Sequence, residues 1–383
     1  MSRARRAARP GALASGVVSA VAARAAYRAL RHSPPAGQQT WTRTNYRDEP
    51  ITLLEGPAVA VGAVTAELIG AFAAARQGKI QHRDSLERTV DSRFSLAMIL
   101  AGGGALGFGM VDDLAGSGKR RGLAGHLGAL RHGEVTTGTV KLAGLAATGL
   151  AGGLLLGGKR SDVLLNAGLI AGGANLLNLF DLRPGRAIKV ATLIAGLIAA
   201  GAAVTGPDRS AGLAAVAAPL GAGLALLPED LAERAMLGDA GANALGAMLG
   251  AAAAQALPRP ARACLLAGIV ALTVASEKVS FTKVIERTPA LRRMDMLGRR
   301  PAPLAAPVAA GSAQTAQADT GPSNTGPSDT GRPGARSAGA MAVTLLPGRR
   351  TGRHRRIESG VSRDRSITRF FEFSLRTLAQ QEP

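Results

Sequence analysis

Three polar clusters stand at the edges of apolar runs: Asp112 and Asp113 in GMVDD, Asn175, Asn178 and Asp181 in NLLNLFD, and Asp239 in LGDAGANALG. Carboxylates beside hydrocarbon are costly to desolvate, so such groups commonly mark a substrate, ion or proton site. Neighbouring residues are about 100° apart on a helix, so Asp112 and Asp113 can both reach one polar mouth where a helix leaves the membrane. Two crowded carboxylates gain from a divalent cation, or one holds a proton that can be shuttled; a solvated interfacial cap is the plainer alternative. Asn175, Asn178 and Asp181 step by three, which keeps them within about 120° of one helix face. Their oxygens could ligate a hard cation, or the amide donors could hold phosphate oxygens. Arg183, Arg186 and Lys189 follow at once, able to neutralise a diphosphate or simply to add positive charge on the cytosolic side. Asp239 lies between Gly238 and Gly241 before an apolar run. Small neighbours there admit a bulky ligand, and an acid there is also an ordinary helix cap.

The elements that must position these groups are long apolar helices. Windows of about 17–20 apolar residues, enough to span roughly 30 Å of hydrocarbon, fall near 55–75, 94–111, 138–157, 162–180, 187–205, 210–227, 240–257 and 261–277. A ninth, 12–30, is interrupted by Arg24 and Arg28, and reads either as a span or as an amphipathic surface stretch. Of the 383 residues 46% are hydrophobic but only 3% aromatic, and 50 are glycine. That composition suits close helix packing in a bilayer better than a soluble core, which uses more aromatic area. The expected fold is therefore an all-α integral membrane protein, a multi-span helical bundle of about eight to ten transmembrane helices. The single cysteine, Cys264, excludes a disulfide framework or a cysteine–zinc site.

The net charge of +20 is unevenly placed, with 18 Lys and Arg against 8 Asp and Glu from residue 278 onward and a basic RARRAAR near the start. No aromatic-interleaved module accompanies it, so nucleic acid is not expected as a partner; membrane lipids are. The three acid clusters fall on connections separated by an even number of spans, hence on one side, with the C-terminal tail. Its basic content makes that side the cytoplasm of an inner-membrane protein. The expected organisation is a basic N-terminus at 1–31, with a first membrane helix if 12–30 spans, a polytopic domain at 32–300, and a disordered Pro/Ala/Gly/Ser/Thr-rich linker at 301–348. A basic tail at 349–383 follows, either disordered or forming an amphipathic helix.

GMVDD, NLLNLFD and LGDAGANALG, in this order, resemble the motifs of the polyprenyl-phosphate N-acetylhexosamine-1-phosphate transferases over about residues 40–300. The superfamily includes phospho-N-acetylmuramoyl-pentapeptide transferase and GlcNAc-1-phosphate transferases. The resemblance implies a bundle of about ten helices and Mg²⁺-dependent (or Mn²⁺-dependent) transfer of a hexosamine 1-phosphate from a UDP-sugar to a polyprenyl phosphate, releasing UMP. It implies that Asp112 and Asp113 bind or deprotonate the lipid phosphate, that Asp239 and Asn178 hold the metal, and that Asp181 is the first acid of the NLxDGxDG loop. Lys141, in TTGTVKL, matches a phosphate-contacting lysine; without the resemblance it is a lysine snorkelling to water. With Asn175 and Arg183 it completes the expected substrate-binding set, and a homodimer is compatible with the pattern. Two departures stand out: Pro184 occupies the second acid's position, and the last loop, SEKVSFTKVIERTPALRRMDMLGRR, lacks the family's histidines. His126 and His132 read as surface residues of the 114–137 loop. Two further readings stay open: a non-catalytic lipid-carrier binder or scaffold, and a cation- or proton-coupled transporter. Glu67, mid-span, is either functional or a hydrogen-bonded neutral acid.

Overall fold

The computed structural model of the protein describes residues 11–80, 85–115, 136–205 and 211–301, without the side chains of 77–91 and 211. The expectations for residues 1–10, His126, His132, the linker and the tail lie outside the described residues.

The chain is an all-α, multi-pass membrane bundle. Its long helices are α1 (Ala12–His32), α3 (Glu55–Ile80), α4 (Ser85–Ala115), α5 (Thr137–Leu156), α6 (Arg160–Phe180), α7 (Arg186–Thr205), α8 (Ala211–Leu231), α9 (Gly238–Ala256) and α10 (Arg259–Ser276). Short helices α2 (Gln38–Trp41), α11 (Phe281–Arg287) and α12 (Pro289–Met296) and a hairpin of β1 (Thr42–Thr44) and β2 (Pro50–Thr52) complete the described elements. Seven of the helices are long and apolar enough to cross a membrane: α3 to α8 and α10. Their outward faces carry large exposed apolar side chains such as Phe72, Leu154, Leu197 and Val274, a surface that lipid satisfies.

The two long helices outside those seven are less apolar for different reasons. α1 carries Arg24, Arg28 and Arg31, yet it packs along α3 and α8 rather than lying apart from the bundle. Ser19 donates to the Ala218 carbonyl at 2.6 Å, and Arg24 pairs with Glu229 at 3.0 Å. α9 is the central strut, buried on every side from Ala240 to Ala254. A helix wrapped by protein needs small residues more than hydrophobic ones. A Cβ on Gly246 would stand 2.2 Å from the Gly173 carbonyl oxygen of α6, and one on Gly250 2.2 Å from that of Leu169. At the other extreme only 6% of the apolar window of α10 is buried, so this helix sits on the periphery against α6.

The polar stretch 31–54 folds into α2 and the hairpin, in register Thr42↔Thr52, Arg43↔Ile51 and Thr44↔Pro50. Thr52 also pairs with the segment before α9, its carbonyl accepting from Met236 N–H at 3.0 Å. The hairpin thus fixes where α9 begins.

Arg186 and Lys189, candidate diphosphate cations by sequence, do other work. Arg186 makes a two-pronged contact with Asp295 of α12 at 2.7 and 3.1 Å, Lys189 donates to the Asp295 carbonyl at 2.7 Å, and Arg299 adds 2.7 Å. These bonds latch the 281–301 segment to the start of α7, because Asp295, in the last turn of α12, can accept both prongs of the guanidinium. Burial works to raise the Asp295 carboxyl, but Arg186, Arg299 and Lys189 outweigh it and hold it below its ordinary range. A carboxylate whose folded pKa is depressed contributes stability above its unfolded pKa of about 3.9, and that contribution is lost as pH falls through the folded value. Thermal melts should therefore show the wild type losing stability below about pH 4, and Asp295→Asn should remove about 3 kcal/mol at pH 7 while flattening that acid limb.

Candidate functional site

The three sequence-distant acid clusters meet around the first turn of α9. Gly238 precedes Asp239 with φ +60°, a conformation that side-chain-bearing residues adopt at a cost. A Cβ there would also stand 3.0 Å from the Asp113 carboxylate. The turn exposes backbone N–H groups at a helix start, which need acceptors. Asp113, at the end of α4, accepts from the N–H of Asp239 at 3.0 Å and of Ala240 at 2.8 Å. Asp181 accepts from Gly238 N–H. Gly109, one turn before Asp113, lets α4 lie against this turn, since a Cβ would fall 2.4 Å from the Asp239 carbonyl.

Asp113 and Asp181 are thus spent largely on positioning Asp239, whose carboxylate turns towards Lys141. The Lys141 ammonium, buried at the start of α5, donates to Asp239 Oδ2 and lies 3.5 Å from Asp112 Oδ2. Thr136 caps α5, its hydroxyl accepting from Thr139 N–H at 3.1 Å, so the lysine projects from a defined first turn. The Asn178 amide, oriented by its neighbours, donates to Asp239 Oδ1 at 2.7 Å and accepts from Lys141 Nζ at 2.9 Å. Asp112, Lys141, Asn178 and Asp239 therefore form one contiguous set of three oxygen donors around an ammonium. Arg43 of β1 donates to the Asp113 carbonyl and brings a second cation close.

Two members of the expected set lie elsewhere. Asn175 faces Thr273 of α10 at 3.5 Å. Each step of three falls 60° short of a full turn, so the face that presents Asn178 turns Asn175 to the neighbouring helix. Arg183 stacks over Tyr46, its guanidinium 4.6 Å from the ring centroid, and lies 3.8 Å from Glu286. It borders a cleft of about 190 Å³ that also includes Asp181, Pro184, Asp230 and Asn45.

The residues fit Mg²⁺ in kind, though no three His, Cys, Asp or Glu among the described residues close into a cage. Magnesium characteristically takes one or two carboxylates and completes its shell with water and substrate phosphate. Asp239, Asp112 and the Asn178 oxygen meet that need, and Lys141 already fills their midst with positive charge.

Glu55, Asp230 and Glu233 stand outside the set of acids expected from the sequence. Glu55 (in LLEGPA) and Asp230 (in LLPEDLA) bound apolar runs as Asp112 does, so the signal was present. Both are buried, at 0% and 2% exposure. Asp181 is 7% exposed; burial pushes its carboxyl well above the ordinary range, and the negative charges of Asp230, Asp113 and Asp239 push it further. Glu67 is buried inside the bundle. No protein-family profile matches the chain, and no curated protein is significantly similar to it.

Proposed function

We propose that the protein is a membrane phosphosugar transferase that moves a hexosamine 1-phosphate from a UDP-sugar to a polyprenyl phosphate. The single observation that carries this reading is the convergence of Asp112, Lys141, Asn178 and Asp239 from four different helices at one end of the bundle. Phosphoryl transfer between two anions is mainly a problem of positioning and of neutralising charge. A lipid-phosphate oxygen forms the new bond at the sugar-bearing phosphorus while the bond to the departing UMP breaks. Asp239 and Asn178, with Asp112, would hold Mg²⁺, which when bound neutralises charge on the diphosphate. Lys141 donates to a phosphate oxygen, Asp113 keeps the α9 turn in place, and Arg43 screens the incoming anion. Siting at the end of apolar helices gives a lipid-borne acceptor direct access from the bilayer.

Purified protein with Mg²⁺, polyprenyl phosphate and a panel of UDP-sugars should release UMP and form a lipid-linked sugar. The reading fails if lipid phosphate binds and no member of the panel turns over. That outcome favours the second reading, a non-catalytic lipid-carrier binder, which Pro184 at the position of an expected acid supports.

Because the ammonium and a metal would share the same oxygens, Lys141→Gln should bind Mn²⁺ more tightly than wild type without substrate. Electron paramagnetic resonance titration should show a gain of about tenfold, together with loss of UMP release. Unchanged or weaker Mn²⁺ binding in the variant would place the metal away from Lys141.

A further inference from the structure

Beside the Lys141 cluster lies a cleft whose walls are of opposite charge. Its cationic rim is Arg183 over the Tyr46 ring, with Arg47 and Arg299 at 5.3 and 5.4 Å from the same ring. Its floor is acidic: Asp181 and Asp230 both line it and are 7% and 2% exposed. Each uses one carboxylate oxygen on a backbone N–H, Asp181 on Gly238 and Asp230 on Gly185. The other, Oδ2 in both, has no hydrogen-bond partner, and behind them Glu55 has none for either oxygen.

The nearby cations are committed elsewhere. Lys189 donates to the Asp295 carbonyl, Arg24 pairs with Glu229, and Arg47 pairs with Glu233 at 2.9 Å. Buried acceptors left open beside a cavity are expensive unless a donor enters. Glu233, the remaining acid of the wall, is already satisfied by Asn45 and Tyr46, both at 3.1 Å. The open acceptors are therefore concentrated on the floor, and no three acids among the described residues close on a bare metal ion.

We propose that this cleft binds the primary amine of a small phosphate-bearing ligand, Asp181 and Asp230 accepting from the nitrogen while Arg183 faces the phosphate. A primary amine supplies two or three donors, enough for two neighbouring acceptors, whereas an N-acetyl group keeps a single N–H and adds a carbonyl oxygen, and a uracil carbonyl is an acceptor only. Asp181 both lines the cleft and holds the first turn of α9, so a donor diphosphate would have Arg183 for one phosphate and the Lys141–Asp239 end for the other. This rests on the transferase reading: an amine on the sugar narrows the donor to a UDP-amino sugar, whereas an amine on the base would replace the uridine of that reading by a cytidine.

The test is binding without the lipid acceptor. The full chain in lipid nanodiscs is titrated calorimetrically with glucosamine 1-phosphate and N-acetylglucosamine 1-phosphate, then with CMP and UMP. At least about a tenfold preference for the amine in one pair is expected, a site built for a donor rejecting an analogue that lacks it. The pair that shows it identifies sugar or base as the source. Asp230→Asn should shrink that preference to under about threefold. Equal binding within both pairs, or a preference that survives Asp230→Asn, overturns the proposal, and the wild-type comparison needs no variant to fold. Mg²⁺ binding without any sugar or nucleotide that Asp230→Asn abolishes overturns it too, since the floor would then hold metal. UMP release with no amine preference removes the cleft assignment alone; an amine preference without turnover of any donor removes the transferase reading alone.

Discussion

Asp239→Asn should lower UMP release by at least about a hundredfold while leaving the melting temperature nearly unchanged. The substitution keeps the shape of the side chain and both backbone N–H bonds to Asp113, which come from the main chain of Asp239 and Ala240 rather than from the carboxylate. What it removes is the negative charge shared with Lys141 and Asn178. Lys141 keeps Asp112 at 3.5 Å, so the ammonium is not stranded and the fold is spared. A metal held at this point loses its only carboxylate from α9, and charge stabilisation at a transferring phosphoryl group is the largest single contribution such a site makes. Full activity in the variant would remove the site from this turn. Asp113→Asn is the informative contrast. Its amide can accept one of the two N–H bonds but not both, so activity and melting temperature should fall together.

Gly250→Val should be the most damaging substitution for the fold. Its Cβ would lie 2.2 Å from the carbonyl oxygen of Leu169 and 2.8 Å from the Cα of Ile170. Both are backbone atoms inside α6, so relief requires the two helices to move apart rather than a side chain to swing. Overpacking of this kind costs about 3 kcal/mol, or roughly 10 °C in melting temperature for a domain of this size. Activity should fall with it, because α9 carries Asp239 and α6 carries Asn178. Gly103→Ala in α4 is the control: nothing lies within 4 Å of the new Cβ, and alanine favours the helix, so detergent-solubilised protein should melt no lower than wild type. Equal melting of the Gly250 variant and the control would contradict the close approach of α6 and α9.

Much of this architecture was legible in the chain because a bilayer enforces a simple rule. An apolar stretch of sufficient length must be a helix that satisfies its own backbone; all eight clear windows fall on helices, seven of them apolar enough to span, while 240–257 is the protein-wrapped α9. Polar residues at the ends of those windows were legible for the same reason. Asp112, Asp113, Asn178, Asp181 and Asp239 stood out as exceptions to hydrocarbon, and an even number of spans between them put them at one end. What only the tertiary structure decided was the division of labour. Asp113 and Asp181 hold the α9 turn through its N–H groups, while Asp112 and Asp239 face Lys141, and no spacing rule separates those duties. Arg186 and Lys189 looked like partners for a diphosphate until α12 brought Asp295 to them from more than a hundred residues away. Asn175 fell out of the site because a helix face is set by its neighbours and not by a three-residue step alone. Glu55 and Asp230 bound apolar runs as Asp112 does, but only the packed bundle leaves their buried carboxyl oxygens open and puts Asp230 in a cleft wall. Hydrophobic length is a local property and can be read along a chain; the partner of a charge depends on which helices touch, and that is a property of the packed bundle.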